Sequence, residues 1–206
     1  MAVSPVVYVV DDDGSVRRSL SRLLRSAGYE VELLESAESF LACKKLDGAS
    51  CLVLDLQMPG LNGLQLQEAM IANGTEIPIV FISGHGDIPV SVRAMKAGAI
   101  DFLPKPFEPE DLLAAIRRAM ERSHLLQRRR RVRQRVLSRC QKLTAREKDV
   151  FGAVVTGLLN KQIAARLKIS EKTVKVHRAR VMEKMRARSL AELVRFSEQA
   201  NGTKVQ

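Results

Sequence analysis

Short apolar runs and helical patterns alternate through the first half of the chain, and this alternation limits the fold more than any other feature. We predict strands at Val6–Val10, Val31–Leu34, Cys51–Leu54, Ile77–Ile82 and Ile100–Leu103. Helical spacing of apolar residues predicts helices around residues 15–27, 37–45, 63–72, 88–97 and 109–121. Alternating strands and helices indicate a doubly wound, five-stranded parallel α/β sheet. In such sheets the reactive site lies beyond the carboxyl ends of the strands.

Charge divides the chain into two unlike halves. Residues 1–120 contain 11 Lys and Arg against 16 Asp and Glu, a net charge of −5, whereas residues 121–206 contain 23 against 7, a net charge of +16. One acidic and one strongly basic half predict two domains with different partners, and the basic half is expected to bind a polyanion. Charge alone does not distinguish DNA, RNA and a membrane surface.

Composition argues against membrane-spanning and secreted classes. Asp, Gly, Pro or Arg interrupts every apolar run before it reaches membrane-spanning length. No basic segment precedes Val6–Val10, so this stretch does not have the pattern of a signal peptide. Cys43, Cys51 and Cys140 are far apart and lack metal-ligand spacing, which favours reduced thiols in a cytoplasmic protein.

Polar side chains stand where the predicted strands end. Asp11 and Asp12 follow the first strand, Asp55 ends the third, Ser83 ends the fourth and Lys105 follows the fifth. Clustered carboxylates stay ionised only with a cation between them, and Mg²⁺ is the simplest hard ion with oxygen ligands. Such a pocket could bind and transfer a phosphoryl group, with one carboxylate as the nucleophile and the metal and the lysine neutralising charge.

Residues 6–122 resemble the receiver domain of bacterial two-component response regulators, which has a flavodoxin-like fold. The matching segments are Val9-Val10-Asp11-Asp12-Asp13, Leu54-Asp55-Leu56-Gln57-Met58-Pro59-Gly60, Phe81-Ile82-Ser83-Gly84-His85-Gly86 and Lys105-Pro106-Phe107. The resemblance implies that Asp55 accepts a phosphoryl group from a sensor histidine kinase. It also implies a Mg²⁺ site made by four residues: Asp11, Asp12, Asp55 and the backbone carbonyl of Gln57.

The same resemblance implies how the phosphorylated state is sensed. Ser83 would move toward the phosphoryl oxygens, Phe102 would be the aromatic switch on the fifth strand, and Lys105 would be the charge partner. The Lys105–Pro106 peptide bond is expected to be cis, and Asp13 is left without a role in the site.

From about residue 121 the strand signals stop and basic helices follow. Arg128–Arg131, with Arg133, Arg135 and Arg139 after it, has no regular apolar face. We predict a basic helical linker, either separate or continuous with the preceding helix, that adds general electrostatic attraction. Residues 143–200 then show four helical patterns, the first with Thr144 as N-cap and Glu147 as its capping-box partner.

Two of these patterns predict a helix-turn-helix. A first helix carries Ile163, Ala164 and Leu167 on one face, and a short turn ends at Ser170, a good N-cap. The second helix buries Val174 and either Val181 or Met182, and it leaves a basic face of Lys172, Thr173, Lys175, Val176 and Ala179. An ordinary helical hairpin with solvated lysines is the alternative for this segment alone.

Residues 143–196 resemble the LuxR-type helix-turn-helix domain, and the whole chain resembles the FixJ/NarL branch of response regulators. The matching residues are Leu143-Thr144-x-Arg146-Glu147, Lys161-x-Ile163-Ala164, Ser170-x-x-Thr173-Val174-Lys175-Val176-His177 and Arg188-Ser189-x-Ala191-Glu192-Leu193. The candidate DNA-binding residues are Lys161, Lys172, Thr173, Lys175, Val176, Arg178 and Ala179. Met185-Arg186-Ala187 replaces the family's common Leu-Gly-Val turn, which leaves room for a different junction before the last helix.

We therefore predict a receiver over residues 1–121, a basic helical linker over 122–141 and an all-α, four-helix LuxR-type domain over 142–206. Phosphorylation would be read at the face formed by residues 87–121 and would promote a homodimer or free the basic domain. The expected output is transcriptional activation from double-stranded promoter DNA, with RNA polymerase as a further partner.

Two other functions remain as alternatives to this regulator, which is not expected to be an enzyme beyond autophosphatase activity. An aspartyl-phosphate phosphatase acting on a small substrate would use the same pocket but leave the basic half unexplained. A phosphorylation-regulated RNA-binding protein would be expected to carry RNA-binding signatures, whereas the segment Thr173–His177 favours duplex DNA.

Overall fold

The computed structural model describes residues 5–43, 48–84 and 88–201. The chain divides into two compact units, with the boundary between Gln127 and Arg128. Each unit has its own hydrophobic core. Within the predicted motifs, residues 44–45 of the second helix, His85 and Gly86, and the first residue of the 87–121 face lie outside the described residues.

The N-terminal unit alternates strands and helices as the sequence predicts. Its elements are β1 (Val6–Val10), α1 (Gly14–Ser26), β2 (Glu30–Leu34), α2 (Ala37–Leu41), β3 (Ser50–Asp55), α3 (Gly63–Ala72), β4 (Ile79–Ser83), α4 (Ile88–Lys96), β5 (Asp101–Pro104) and the start of α5 (Pro109–Gln141). The strands pair in parallel in the order β2-β1-β3-β4-β5. This is the flavodoxin-like order, and the predicted fold class is confirmed.

Both faces of the sheet are buried, which explains why its strands are nearly continuous apolar runs. Successive side chains of a strand point to opposite faces. Leu52 and Leu54 therefore join the core on one face with Phe81, whereas Cys51 and Val53 join the core on the other face with α1 and α5. The two cores hold the strands in place from both faces of the sheet, and they thereby also fix the positions of the polar residues at the strand ends.

Some element ends differ from the prediction. The fourth strand begins at Ile79 rather than at the predicted Ile77. Pro78 has no N–H to donate to a neighbouring strand, although its carbonyl accepts a hydrogen bond from the Leu52 N–H at 2.9 Å. The helix predicted at 109–121 continues without interruption through the predicted linker to Gln141. The predicted domain boundaries after residues 121 and 141 stay predictions.

The C-terminal unit packs four further helices against the end of α5. They are α6 (Ala145–Val155), α7 (Asn160–Leu167), α8 (Glu171–Met185) and α9 (Leu190–Asn201). Both predicted N-caps are confirmed, because Thr144 Oγ1 accepts from the Glu147 N–H at 3.3 Å and Ser170 Oγ accepts from the Thr173 N–H at 3.1 Å. The core of this unit contains Val136, Val150, Ile163, Val174, Val181, Met185 and Leu193.

Two non-glycine residues end helices in the left-handed conformation. Lys168 closes α7 with φ 54° and Arg186 closes α8 with φ 53°. Glycine is favoured at such positions because a Cβ is strained there. The Arg186 N–H donates to Glu183 O and the Ala187 N–H donates to Met182 O. Replacing the family's glycine with Arg186 therefore keeps a hydrogen-bonded turn before α9.

A buried ion pair ties the start of α6 to the end of α8. Glu147 is only 2% exposed, and its Oε2 accepts from Lys184 Nζ at 2.6 Å and from the Thr144 N–H at 2.8 Å. The hydrogen bond from Lys184 and then that from the Thr144 N–H hold the pKa of Glu147 below its usual value, against the opposing effect of burial. The ionised carboxylate therefore stabilises this unit.

The stability of the C-terminal unit should depend on the ionisation of Glu147. Since the pKa is lowered on folding, the stabilisation is fully present above the unfolded pKa of about 4.3 and is lost as the pH falls through the folded value. Hydrogen exchange of α6 and α8 amides, measured across that range, should show the loss in the wild type and a flatter profile in Glu147→Gln. Glu198→Gln, an exposed change on α9, should keep the wild-type profile. Identical profiles for all three proteins would contradict the assignment.

Candidate functional site

The predicted polar residues meet at the carboxyl edge of the parallel sheet. Asp11 directly follows β1, Asp55 is the last residue of β3, Ser83 is the last residue of β4, and Lys105 follows β5. Neighbouring strands β1, β3, β4 and β5 lie side by side, so residues far apart in sequence are brought to one edge.

Lys105 links the two buried carboxylates of this edge. Its Nζ donates to Asp11 Oδ2 at 2.8 Å and to Asp55 Oδ1 at 2.8 Å. Asp11 is 1% and Asp55 5% exposed. One ammonium group therefore compensates part of the charge of two carboxylates that water barely reaches.

The pKa values in this group follow from burial and charge. Burial raises the pKa of Asp55 above its ordinary value, with a smaller contribution from the Asp11 charge, although Lys105 and the Gln57 N–H act against it. Burial acts to lower the pKa of Lys105, but hydrogen bonds to Asp11 and Asp55 and their charges outweigh it, and the pKa is raised. The lysine is therefore held in its charged form.

Backbone contacts fix the orientation of the carboxylates. The remaining oxygen of Asp11 accepts from the Asp13 N–H at 2.8 Å, and Asp55 Oδ2 accepts from the Gln57 N–H at 2.9 Å. Arg17, on α1, donates from Nη1 to the carbonyl oxygens of Asp11 at 2.6 Å and Asp12 at 2.9 Å. No sequence motif pointed to Arg17, whose contact depends on how α1 packs after β1.

The three consecutive acids after β1 have different surroundings. Asp11 is buried, whereas Asp12 and Asp13 are exposed. Asp13 is the N-cap of α1, and its Oδ1 accepts from the side chain and the N–H of Ser15, which lower its pKa. The acid that was left without a role in the site therefore has a structural one.

The predicted metal ligands are only partly brought together. Within the described ranges, no group of three or more His, Cys, Asp and Glu side chains is arranged to hold a metal ion. Asp11 and Asp55 share Lys105, while Asp12 and Gln57 lie exposed at the rim. The oxygen donors that would suit Mg²⁺ are present at this edge.

The predicted switch residues lie on β4, which pairs with β3, and on β5, which pairs with β4. Ser83 is 1% exposed, and its carbonyl accepts from the Lys105 N–H at 2.6 Å. The Lys105–Pro106 bond is cis, which confirms the prediction. Phe102 is half-buried on β5, with its ring centroid 6.3 Å from that of Phe81. Phe102 therefore has space toward solvent on one side and a buried ring on the other.

A close backbone approach beneath Asp55 was not predicted. Gly63 begins α3, and a Cβ at this position would lie 2.5 Å from the carbonyl oxygen of Asp55 and 3.0 Å from Phe81 Cε1. Its N–H donates to Leu56 O at 3.0 Å. Only glycine fits this position, because the nearest obstacle is the Asp55 carbonyl oxygen, a backbone atom that cannot rotate away as a side chain can.

A second candidate site is the exposed face of α8. Lys172, Lys175, Val176 and Ala179 are exposed and follow one another at three- and four-residue spacing, so they share one side of the helix. We call these four residues the recognition face. Val174, Val181 and Met185 are buried on the other side; of the predicted alternatives Val181 and Met182, Val181 is buried and Met182 half-buried.

The other predicted DNA contacts have different surroundings. Lys161 is exposed near the start of α7. Thr173 is half-buried, and its hydroxyl lies 2.8 Å from Ser170 Oγ. Arg178 is half-buried, and its Nη1 donates to Asn160 Oδ1 at 3.0 Å. Arg178 therefore also joins α8 to α7, whereas Thr173 supports the N-cap of α8.

Comparison with known proteins identifies a family for each half of the chain. Residues 7–117 match the family described as "Response regulator receiver domain", and residues 141–197 match "Bacterial regulatory proteins, luxR family". Nodulation protein W of Bradyrhizobium diazoefficiens is 50% identical over 94% of this chain and 85% of its own length. Transcriptional regulatory protein FixJ of the same organism is 43% identical over 94% of this chain and 95% of its own.

A solved structure extends the likeness to the full chain. The response regulator StyR is 50% identical, with a TM-score of 0.79 over 96% of this chain and 100% of its own. The chain belongs to the response regulators that join a receiver domain to a LuxR-type DNA-binding domain. Among the described residues, no helix is long and apolar enough to cross a lipid bilayer.

Gly63→Ala should destabilise the N-terminal unit by roughly 1–3 kcal/mol, because the added methyl group would press on the backbone of Asp55. Hydrogen exchange of β3 and α3 amides measures the effect in the full chain. Gly152→Ala makes the same chemical change on exposed α6 with nothing within 4 Å of the new Cβ. That control should be neutral or stabilise by about 0.5–1 kcal/mol. Equal, small effects of both changes would show that α3 can shift without cost.

Proposed function

We propose that this response regulator is phosphorylated on Asp55 by a sensor histidine kinase and thereby controls its binding to promoter DNA. The observation that carries the proposal is the position of Asp55, buried at the end of β3 with Lys105 Nζ 2.8 Å from its Oδ1. An ionised carboxylate with a raised pKa is more basic and so a better nucleophile than a solvated one.

In the transfer step, a carboxylate oxygen of Asp55 attacks the phosphorus of a phosphohistidine. The new O–P bond forms as the N–P bond breaks, and the electron pair of that bond returns to the kinase imidazole. Lys105 offers a fixed positive charge to the phosphoryl oxygens, and the Gln57 N–H keeps Asp55 oriented. Hydrolysis of the acyl phosphate would reset the site, which is autophosphatase activity rather than turnover of an external substrate.

The donor set at this edge fits Mg²⁺. Asp11, Asp12 and Asp55 with the carbonyl of Gln57 would hold the ion, and all four offer hard oxygen ligands. When bound, the ion neutralises charge on the transferring phosphoryl group. Lys105 alone leaves two carboxylates only partly compensated, which favours a further cation at the same edge.

We further propose that phosphorylation is read by Ser83 and Phe102 and passed to the surface of α4 and β5. Ile88, Val92 and Met95 on α4 are 75%, 43% and 43% exposed, and their spacing places them on one face. Three exposed apolar side chains on one face support this surface as the contact of a phosphorylated homodimer.

The C-terminal unit would carry the output. The recognition face presents two lysines, a valine and an alanine, which suits reading of base edges in a major groove. Transcriptional activation through RNA polymerase in the cytoplasm follows from this role. If the protein were a phosphatase of small substrates, its DNA-binding domain would have no function. If it bound RNA more tightly than DNA, the RNA-binding alternative would be favoured.

Asp55→Asn should abolish acyl-phosphate labelling by a small phosphodonor with Mg²⁺, because the amide is not a nucleophile in this reaction. Asp13→Asn is the matched control, since asparagine also caps helices and Asp13 is exposed at the start of α1. It should be labelled as the wild type is. Wild-type labelling of Asp55→Asn, read by intact-protein mass spectrometry, would place the acceptor elsewhere.

Lys175→Ala should weaken binding to the true operator by roughly 1–3 kcal/mol and flatten the preference among sequences, if Lys175 reads a base edge. The double change Arg129→Gln and Arg130→Gln should weaken binding to every duplex about equally and reduce the salt dependence. Competition between operator and scrambled duplexes at two salt concentrations separates the two effects. An equal loss on both duplexes for Lys175→Ala would make Lys175 a phosphate contact.

A further inference from the structure

A strongly basic cleft lies in the C-terminal unit, away from the residues proposed to read DNA. It has a volume of about 620 Å³ and lies where the last turns of α5 meet the end of α8. Six of its eight lining residues are cationic, and none is acidic: Arg131, Arg135, Arg139, Lys142, Lys184 and Arg186. We call this the basic cleft. It is a shallow, polar depression that is open to solvent.

Two of the six cations are already engaged within the protein. Lys184 Nζ is paired with Glu147, and Arg139 donates from Nη1 to Met185 O at 3.0 Å while lying over the ring of Phe196. The other four make no ion pair within the described part of the chain: Arg131, Arg135, Lys142 and Arg186. The cleft thus concentrates positive charge that no acidic side chain compensates.

The close arrangement of these cations destabilises the C-terminal unit, and a bound anion would reduce this effect. Arg131, Arg135 and Arg139 follow at four-residue spacing on α5, where like charges repel. Arg186 sits in the left-handed conformation, which glycine adopts with less strain. A bound anion would offset the repulsion and would give the side chain of Arg186 a ligand.

The basic cleft and the recognition face are on different sides of α8. Lys184 lies about a third of a turn around the helix axis from the centre of the recognition face and about 13 Å along it. A duplex seated on the recognition face is therefore not placed to fill the cleft. The occupant should instead be an independent molecule small enough for the cleft.

From this geometry we propose that the basic cleft binds a soluble anion with two or more phosphate groups, a nucleoside or inorganic polyphosphate. Arginine guanidinium groups bind phosphate oxygens in pairs of parallel hydrogen bonds, and three of the four uncompensated cations are arginines. Neutral Gln134 and Ser138 line the same cleft and add hydrogen-bonding groups. A bound polyphosphate would join the end of α5 to the end of α8.

The test is calorimetric titration of the full-length protein with inorganic tripolyphosphate, with ATP, and with orthophosphate at physiological salt. The double variant Arg135→Gln with Lys142→Gln should bind tripolyphosphate at least about tenfold more weakly than the wild type. The control Arg129→Gln with Arg133→Gln removes the same charge from the exposed part of α5 outside the cleft. It should change affinity by less than about twofold. Equal losses in both variants would overturn the proposal, because the attraction would then be general.

The comparison of ligands identifies the source of the phosphates. Tighter binding of ATP than of tripolyphosphate would identify the ligand as a nucleoside polyphosphate, and tighter binding of tripolyphosphate would identify it as an inorganic one. The proposal would be overturned if neither compound bound, or if orthophosphate bound as tightly as they do. Duplex DNA gives the last arm. Since Arg129 is itself expected to attract DNA, the cleft variant should lose less affinity for scrambled duplex than the control does; a loss as large as the control's would mean that the cleft contacts the DNA backbone and that the proposal is wrong. Circular dichroism shows whether the variants keep their helices, which glutamine supports as well as arginine or lysine.

Discussion

The shared hydrogen bonds of Lys105 with Asp11 and Asp55 are the constraint on which the receiver site depends. Two carboxylates that are 1% and 5% exposed could not both stay ionised without a nearby positive charge. A single ammonium group brings the local charge only part of the way to neutrality. The charge of the site is thus only partly compensated within the protein, which is the condition that the proposed binding of Mg²⁺ and transfer of a phosphoryl group require. The sequence separation of 94 between Asp11 and Lys105 shows that the sheet, not local sequence, creates this condition.

The fold and the main site residues could be predicted because both follow from rules that act along the chain. Parallel strands end at one edge of a sheet, so Asp11, Asp55 and Lys105 had to converge once the strands were located. Capping is equally local, which is why Thr144 and Ser170 were predicted correctly. The ends of the strands were harder to predict, because residues such as Pro78 join the sheet through the carbonyl group alone.

What the sequence did not reveal depends on contacts between distant elements. In the sequence, Gly63 does not differ from other glycines that begin helices. Only the packing of α3 against the backbone of Asp55 shows that no larger residue fits there. Arg17 is one of several arginines on α1, and only the packed structure aims it at the carbonyls of Asp11 and Asp12. Glu147 was predicted as a capping partner, but its second bond, to Lys184 at 37 residues' distance, needs the tertiary fold.

The charge of the C-terminal half is distributed among different tasks. If all of the net +16 met DNA phosphates, the logarithm of affinity would fall with that of salt at a slope of about −14. The structure argues for far fewer contacts, because Lys184 neutralises Glu147, Arg139 supports the end of α8 and Arg178 holds Asn160. Four more cations line the basic cleft, which is formed at the ends of α5 and α8 and includes no residue of the recognition face. Net charge therefore identifies a polyanion as the partner, but the number of phosphates bound is set by where the fold places each cation.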